Sequence, residues 1–162
     1  MRKRENKIPL SFFILGGIEY ISPVINHTPQ NSSPMKPELS ESIFHSALCN
    51  GLAYTLSGYG LSLGYRKSEY AAAKEVIKSQ NPNETVCYED VLLQILKSGG
   101  TLTLIDEEGE GKYNSTITLQ SVHDLVPQTP LRSLANYEDE NDDAEDADAV
   151  LQTVFYEEII FG

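Results

Sequence analysis

Thr101-Leu102-Thr103-Leu104-Ile105 and Ser115-Thr116-Ile117-Thr118-Leu119 are the two stretches on which the fold turns. Both are rich in β-branched residues and alternate apolar with polar side chains, the period of a half-buried strand. The segment between them, Asp106 to Asn114, is polar and holds Gly109 and Gly111, so the pair reads as a hairpin with a long acidic loop. A two-stranded hairpin is marginal by itself. It must lie against an apolar surface, with Leu102, Leu104, Ile117 and Leu119 as its buried face.

Upstream the period changes to 3.6. Phe44, Ala47, Leu48, Gly51, Leu52 and Thr55 form one stripe of a helix from Glu41 to Ser57, with Ser40 or Ser42 as its cap and Gly58 and Gly60 as its stop. Leu61 to Tyr65 fits a brief strand or an extended connector. Ser68 caps a second helix to Lys78, with Tyr70, Ala73, Val76 and Ile77 inward. After the turn at Asn81-Pro82-Asn83, a third helix spans Tyr88 to Lys97 on Val91, Leu92, Ile95 and Leu96. Glu89 and Asp90 in its first turn and Lys97 in its last match the macrodipole, and Gly99-Gly100 ends it.

Past the hairpin, Ser121 to Val126 reads as a short helix ended by Pro127, with Asp124 as a local cap acceptor, and Pro130 to Asn141 as loop. A final helix starts at Asp142 with Glu145 as its capping-box partner and Ala144, Ala147, Leu151 and Val154 as its stripe. Glu158 to Phe161 is a candidate third strand. The expected class is α+β: three or four helices packed against a small antiparallel sheet, made of the hairpin and that C-terminal strand.

The segment before Met35 differs in character. Arg2, Lys3, Arg4 and Lys7 precede an apolar run from Ile8 to Ile18, too short to span a bilayer. Glu19 and Tyr20 follow at once with no small-x-small cleavage site, which disfavours a signal peptide. The expectation is an N-terminal extension over 1–34, poorly ordered or not native, then a single α+β domain over 35–162 with Met35 as the natural start.

The 12 Lys+Arg against 24 Asp+Glu give a net charge of −12. From Met35 onward eight basic side chains face 22 acidic ones, a net of −14. Phosphate neutralisation requires Lys and Arg, so direct nucleic-acid binding is not expected, and an anionic membrane surface is disfavoured likewise. A protein partner with a basic face suits this field. Cys49 and Cys87 lack CxxC spacing; one disulfide is available to them, but two buried free thiols in a cytoplasmic, reducing setting is the chief reading.

No motif carries a catalytic, cofactor or metal assignment. Asp139, Asn141 and Asp143 sit at EF-hand positions 1, 3 and 5, but Ala144 stands where the turn needs Gly and Val150 where a bidentate Glu belongs. Asp106, Glu108 and Glu110 before Gly111 fail similarly at Ile117. Weak association of Ca²⁺ or Mg²⁺ is all that remains of a cation site. His123-Asp124 are adjacent on a helix and do not face each other; His45 and Cys49 share a face, but beside Phe44, Leu48 and Leu52 the thiol reads as buried. The candidate interaction surface is acidic: Asp106, Glu107, Glu108 and Glu110 in the hairpin loop, and Glu138, Asp139, Glu140, Asp142, Asp143, Glu145 and Asp146 in the run that ends at Asp148.

Cys87-Tyr88-Glu89-Asp90-Val91-Leu92-Leu93-Gln94, Asp146-Ala147-Asp148-Ala149-Val150-Leu151-Gln152 and the closing Ile159-Ile160-Phe161-Gly162 resemble small acidic uncharacterised proteins encoded by bacteriophages and mobile elements of gut-type bacteria. The resemblance covers Met35 to Gly162 and implies a setting rather than an activity. Three functions follow as expectations. The first is a non-enzymatic accessory or interaction protein acting through a protein partner. The second is an acidic DNA mimic that occupies a DNA-binding or defence protein. The third is a carboxylate-dependent metal-binding hydrolase, which needs Asp106, Glu108, Asp143 and His123 to converge.

Overall fold

A computed structural model describes residues 34–52 and 57–162 of the chain. The readings of the N-terminal segment as an extension or a signal peptide concern residues 1–34, of which 1–33 lie outside the described residues. In chain order the elements are α1 (Pro37–Gly51), β1 (Leu61–Gly64), α2 (Lys67–Gln80), α3 (Tyr88–Lys97), β2 (Leu102–Asp106), β3 (Ser115–Ile117), α4 (Leu119–Leu125), α5 (Leu131–Glu138) and α6 (Ala144–Tyr156). Single 3-10 turns lie at Ser57–Tyr59 and Val126–Gln128. The class is α+β as expected, but the described residues hold six helices rather than three or four.

The core is organised around α6. After its first two residues it is buried almost all round: Asp146, Ala147 and every residue from Ala149 to Phe155 are shielded. The expected single stripe was too narrow, and Ala144 at the helix start is exposed. A helix covered on all sides needs partners on all sides. α1 packs most extensively on it, through a face holding Ile43, Phe44, Ala47 and Leu48, and α4, α5 and β3 cover the remainder. Each fully buried Phe or Leu here contributes on the order of 1.5–3 kcal/mol relative to exposure.

α1 starts a turn earlier than the sequence indicated. Pro37 occupies its first position, where a missing N–H costs nothing, and Ser40 lies buried inside the helix instead of capping it. α2 likewise has no side-chain cap, and Val76 on it is exposed. α3 has the expected limits. Its end closes through Gly100 N–H to Ile95 O at 2.9 Å and Gly99 N–H to Leu96 O at 3.0 Å, with Gly99 at φ 84°. Glu41 accepts from Lys97 Nζ at 2.7 Å, and His45 Nε2 lies 2.8 Å from Asp90 Oδ1. Residue numbers rise along α1 while they fall along α3, so these helices run antiparallel.

The sheet is three-stranded, ordered β1-β2-β3, and antiparallel throughout. Leu63 pairs with Leu104, and Leu102 with Ile117. Leu61, Leu102, Leu104 and Ile117 are buried, while Thr103 and Thr116 share a hydroxyl contact at 2.9 Å on the other face. The third strand is therefore β1. The C-terminal segment after α6 forms no strand, because its backbone groups are taken up by the Gln152 side chain. β3 ends at Ile117, since Thr118 turns to cap α4 by accepting from Ser121 N–H at 3.3 Å; Leu119 is a half-buried helix residue, not a strand one. Asp124 accepts from Gln120 rather than capping.

The stretch expected as loop contains α5. Pro130 stands at its cap, Leu131 points outward at 84% exposure, and Ser133 is buried, so the residue types run against the burial they adopt. α5 ends with Asn141 N–H to Asn136 O at 2.9 Å and Glu140 at φ 55°, a left-handed closure of the kind glycine usually supplies. α6 then begins one residue later than expected, capped by Asp143 with Asp146 as its partner.

Candidate functional site

The acidic residues sort into those that hold the fold and those left over. Asp106 is 8% exposed; its carboxylate accepts from Gly109 N–H at 2.6 Å and Tyr113 N–H at 3.1 Å, and so ties the hairpin loop. A Cβ on Gly109 would stand 2.2 Å from Asp106 Oδ2, so that position demands glycine. Burial works against the Asp106 charge, but the N–H groups of Gly109, Tyr113 and Glu108 outweigh it and hold the carboxyl low. Asp142 accepts from Ser46 Oγ at 3.1 Å and Asn50 Nδ2 at 2.9 Å, docking the acidic run on α1. Asp143 accepts from Glu145 and Asp146 N–H groups at 2.8 and 3.1 Å. Asp146, 5% exposed, accepts from Asn136 Nδ2 at 2.7 Å. Its burial penalty is likewise outweighed, by Asn136, Ser133, the Asp143 N–H and the Arg132 charge, so its carboxyl also lies low.

Glu107, Glu108 and Glu110 in the hairpin loop, and Glu138, Asp139, Glu140 and Glu145 around the start of α6, are exposed. The two groups lie at opposite ends of α6: Tyr156 in its last turn donates to Tyr113 O of the hairpin loop at 2.9 Å, while Asp143 caps its first. At 1.5 Å per residue that separates them by roughly 20 Å.

The expected acid–base pairings do not form. His123 Nε2 lies 3.0 Å from Glu41 Oε1, and Glu41 also holds Lys97. Burial opposes the Glu41 charge, yet Lys97 and His123 outweigh it and its carboxyl lies below the ordinary range. His45 is engaged with Asp90, not Cys49. Both cysteines are exposed free thiols, which corrects the reading that buried them. Burial and the charges of Glu89, Asp90 and Cys87 push the Cys49 thiol up. Among the described residues no three His, Cys, Asp or Glu side chains gather as a metal-binding set. Asp106 and Asp143 are occupied by backbone groups and His123 by Glu41, so the hydrolase quartet does not assemble.

One site lies outside these expectations. Glu145, Asp148, Ala149 and Gln152 follow helical spacing on one side of α6, and the C-terminal segment folds back over that side. Gln152, 1% exposed, uses both ends of its amide: Oε1 accepts from Ile160 and Phe161 N–H at 2.8 Å each, and Nε2 donates to Phe161 O at 3.0 Å and Asp148 Oδ2 at 2.7 Å. Phe161 thereby stacks on Tyr59 with centroids 4.6 Å apart and meets Tyr113 edge-on at 5.0 Å. Tyr59 Oη donates to Asp148 Oδ2 at 3.2 Å.

The result is a cleft of about 360 Å³ walled by Tyr59, Phe161, Ile159, Ala149, Glu145 and Asp148. A second hollow of about 200 Å³ shares Glu145, Ala149 and Ile159 with it and continues past Asp143 to Arg132. Asp148 Oδ1 is buried with no hydrogen-bond partner among the described residues. Burial raises the Asp148 carboxyl, and the bonds from Gln152 and Tyr59 only partly offset this. Tyr59 is pushed up as well, by burial and then by Asp148, so its hydroxyl remains a donor. Such a cleft offers counter-charge and ring faces. The pairing of Asp148 with Gln152 at i,i+4 was readable in the sequence; Tyr59, some ninety positions away, carried no local signal.

The chain matches no family model, no curated protein and no solved structure.

Proposed function

We propose that this chain is a non-enzymatic accessory or interaction protein that docks a protein partner through complementary charge. The observation that carries the reading is how charge is distributed. Four of the eight basic side chains after Met35, Arg66, Lys67, Lys74 and Lys78, sit on α2 or at its cap, and α2 packs on α3. Exposed carboxylates dominate the two ends of α6, where Lys112 and Arg132 are the nearby cations. A basic partner is steered to that side and held there by pairs at the rim. The Asp148 cleft supports the reading further. A lysine or arginine side chain entering it meets Glu145 and Asp148 as counter-charges and the Tyr59 and Phe161 rings as cation–π faces.

The test is capture of proteins from a bacterial lysate by the full chain, beside a variant carrying Glu107→Gln, Glu108→Gln, Glu110→Gln, Glu138→Gln and Asp139→Asn. A partner that leaves wild type at moderate salt and is absent from the variant supports docking by charge. One retained by the variant at high salt refutes it. Displacement of that partner by duplex DNA would favour the DNA-mimic form of the same reading.

A further inference from the structure

We propose that Cys49 and Cys87 form a redox-closable pair that staples the end of α1 to the start of α3. The placement follows from the antiparallel ladder between these helices. Glu41 pairs with Lys97, and one turn along α1 and two turns back along α3 His45 pairs with Asp90. One turn further on α1 is Cys49. One turn back from Asp90 is Cys87, whose own N–H donates to Asp90 Oδ2 at 3.3 Å. Cys49 is about 6 Å past the His45–Asp90 pair along α1, and Cys87 is the extended N-cap of α3 bound to Asp90, so both thiols lie at the same end of the ladder beside that pair.

Three observations agree with this. Both cysteines are free and exposed, so a small oxidant reaches them. The Cys49 thiol is pushed up first by burial and then by Glu89, Asp90 and Cys87 at that end of the ladder. His45 and Asp90, the neighbouring ligand types, bind each other, and no metal-binding set forms there among the described residues. The chemistry left to the rung is sulfur with sulfur.

The oxidant is a low-molecular-weight disulfide. One protein thiolate attacks it, forms a mixed disulfide and releases one small thiol. The second protein thiolate attacks the mixed disulfide at the protein sulfur, closes the Cys49–Cys87 bond and releases the second small thiol. The protons lost by the two cysteines end on the two small thiols, and the small disulfide is reduced by the two electrons the cysteines give up. The closed ring encloses β1 and α2, which otherwise join the helical core through α3 and the sheet.

The full chain is equilibrated with defined ratios of oxidised and reduced glutathione, quenched in acid, alkylated and weighed intact. The expected result is loss of two hydrogens with neither cysteine alkylated, and a Cys49–Cys87 linked peptide after digestion. Cys49→Ser and Cys87→Ser, each conservative at an exposed position, are expected to carry one glutathione adduct and no internal link. Adducts on both cysteines of the native chain, disulfide-linked dimers in place of the internal link, or a link that forms only in urea would each overturn the proposal.

Discussion

Gln152→Leu tests the central claim about the C-terminal segment. The side chain is 1% exposed and makes four hydrogen bonds, three of them to the backbone of Ile160 and Phe161. Leucine keeps most of the volume and removes all four. If the segment stays in place, the lost bonds, at about 1 kcal/mol each, lower stability by about 4 kcal/mol. If it peels away, the loss includes the half-burial of Phe161, about 1 kcal/mol, and its ring contacts with Tyr59 and Tyr113, about 1–2 kcal/mol together. Peeling also returns the ordering entropy of the freed residues, about 1 kcal/mol each, which brings the net cost near 2 kcal/mol. The expected loss is therefore about 2–4 kcal/mol in urea unfolding followed by far-UV circular dichroism, with slope unchanged. Both amides lose their acceptor on either route, so ring-current shifts in NMR separate the two: only peeling takes the Phe161 ring away from Tyr59 and Tyr113 while α6 stays protected. A variant within about 0.5 kcal/mol of wild type, with both amides still protected, would refute the reasoning.

Leu104→Asp, at a fully buried strand position, is expected to abolish cooperative unfolding, because it places an unpaired charge in the core; a retained sharp transition would make the hairpin peripheral. Glu140→Gly relieves a left-handed residue and is expected to raise stability by about 0.5–1 kcal/mol, read from the urea midpoint; a loss would show that the Glu140 side chain contributes more than its backbone costs. Asp148 has a raised carboxyl, so its penalty is present above that raised value and fades as pH falls through it. Asp148→Asn is then more stable than wild type at neutral pH, and the difference shrinks toward pH 4 in thermal melts. Glu41 has a lowered carboxyl, so its contribution is present above the ordinary value of 4.5 and is lost as pH falls through the folded value; Glu41→Gln is less stable at neutral pH, with the gap closing in acid.

The sequence was most legible where local chemistry and tertiary burial agreed. α3 has acids in its first turn, a lysine in its last, four apolar residues on one face and Gly99 at its left-handed closure, and its limits were readable to the residue. α5 closes in the same left-handed way but with Glu140 in place of glycine, and it turns a leucine outward and a serine inward. Leu131, Arg132, Leu134, Ala135 and Glu138 are helix formers, but no side-chain cap opens the helix and no glycine closes it. The start of α6 was displaced by one residue because Asp142–Glu145 and Asp143–Asp146 both satisfy a capping box, and only the docking of Asp142 on Ser46 and Asn50 decides between them. The C-terminal Ile159-Ile160-Phe161 has strand-like residues, yet its N–H and C=O partners come from one amide side chain rather than from a neighbouring strand. The cleft was hidden for a related reason: Tyr59, Asp148 and Phe161 meet only after three separate segments fold.

The acidic composition also has a structural consequence that bears on every functional test. Asp106, Asp142, Asp143 and Asp146 each accept hydrogen bonds that close a loop, dock a segment or cap a helix. Neutralising them removes acceptors from buried or half-buried donors, so a loss of binding in such variants would report unfolding as readily as a lost contact. Glu107, Glu108, Glu110, Glu138, Asp139 and Glu145 are exposed, and among the described residues only the Glu107 side chain of this set accepts a bond of note, from Ser62 Oγ at 2.6 Å on the surface. Carboxylate-to-amide changes confined to this second set alter the field while leaving the hydrogen bonds of the fold in place. Charge-dependent docking predicts that they weaken partner capture with no shift in the urea midpoint, and the two readouts together separate an interaction surface from a structural one.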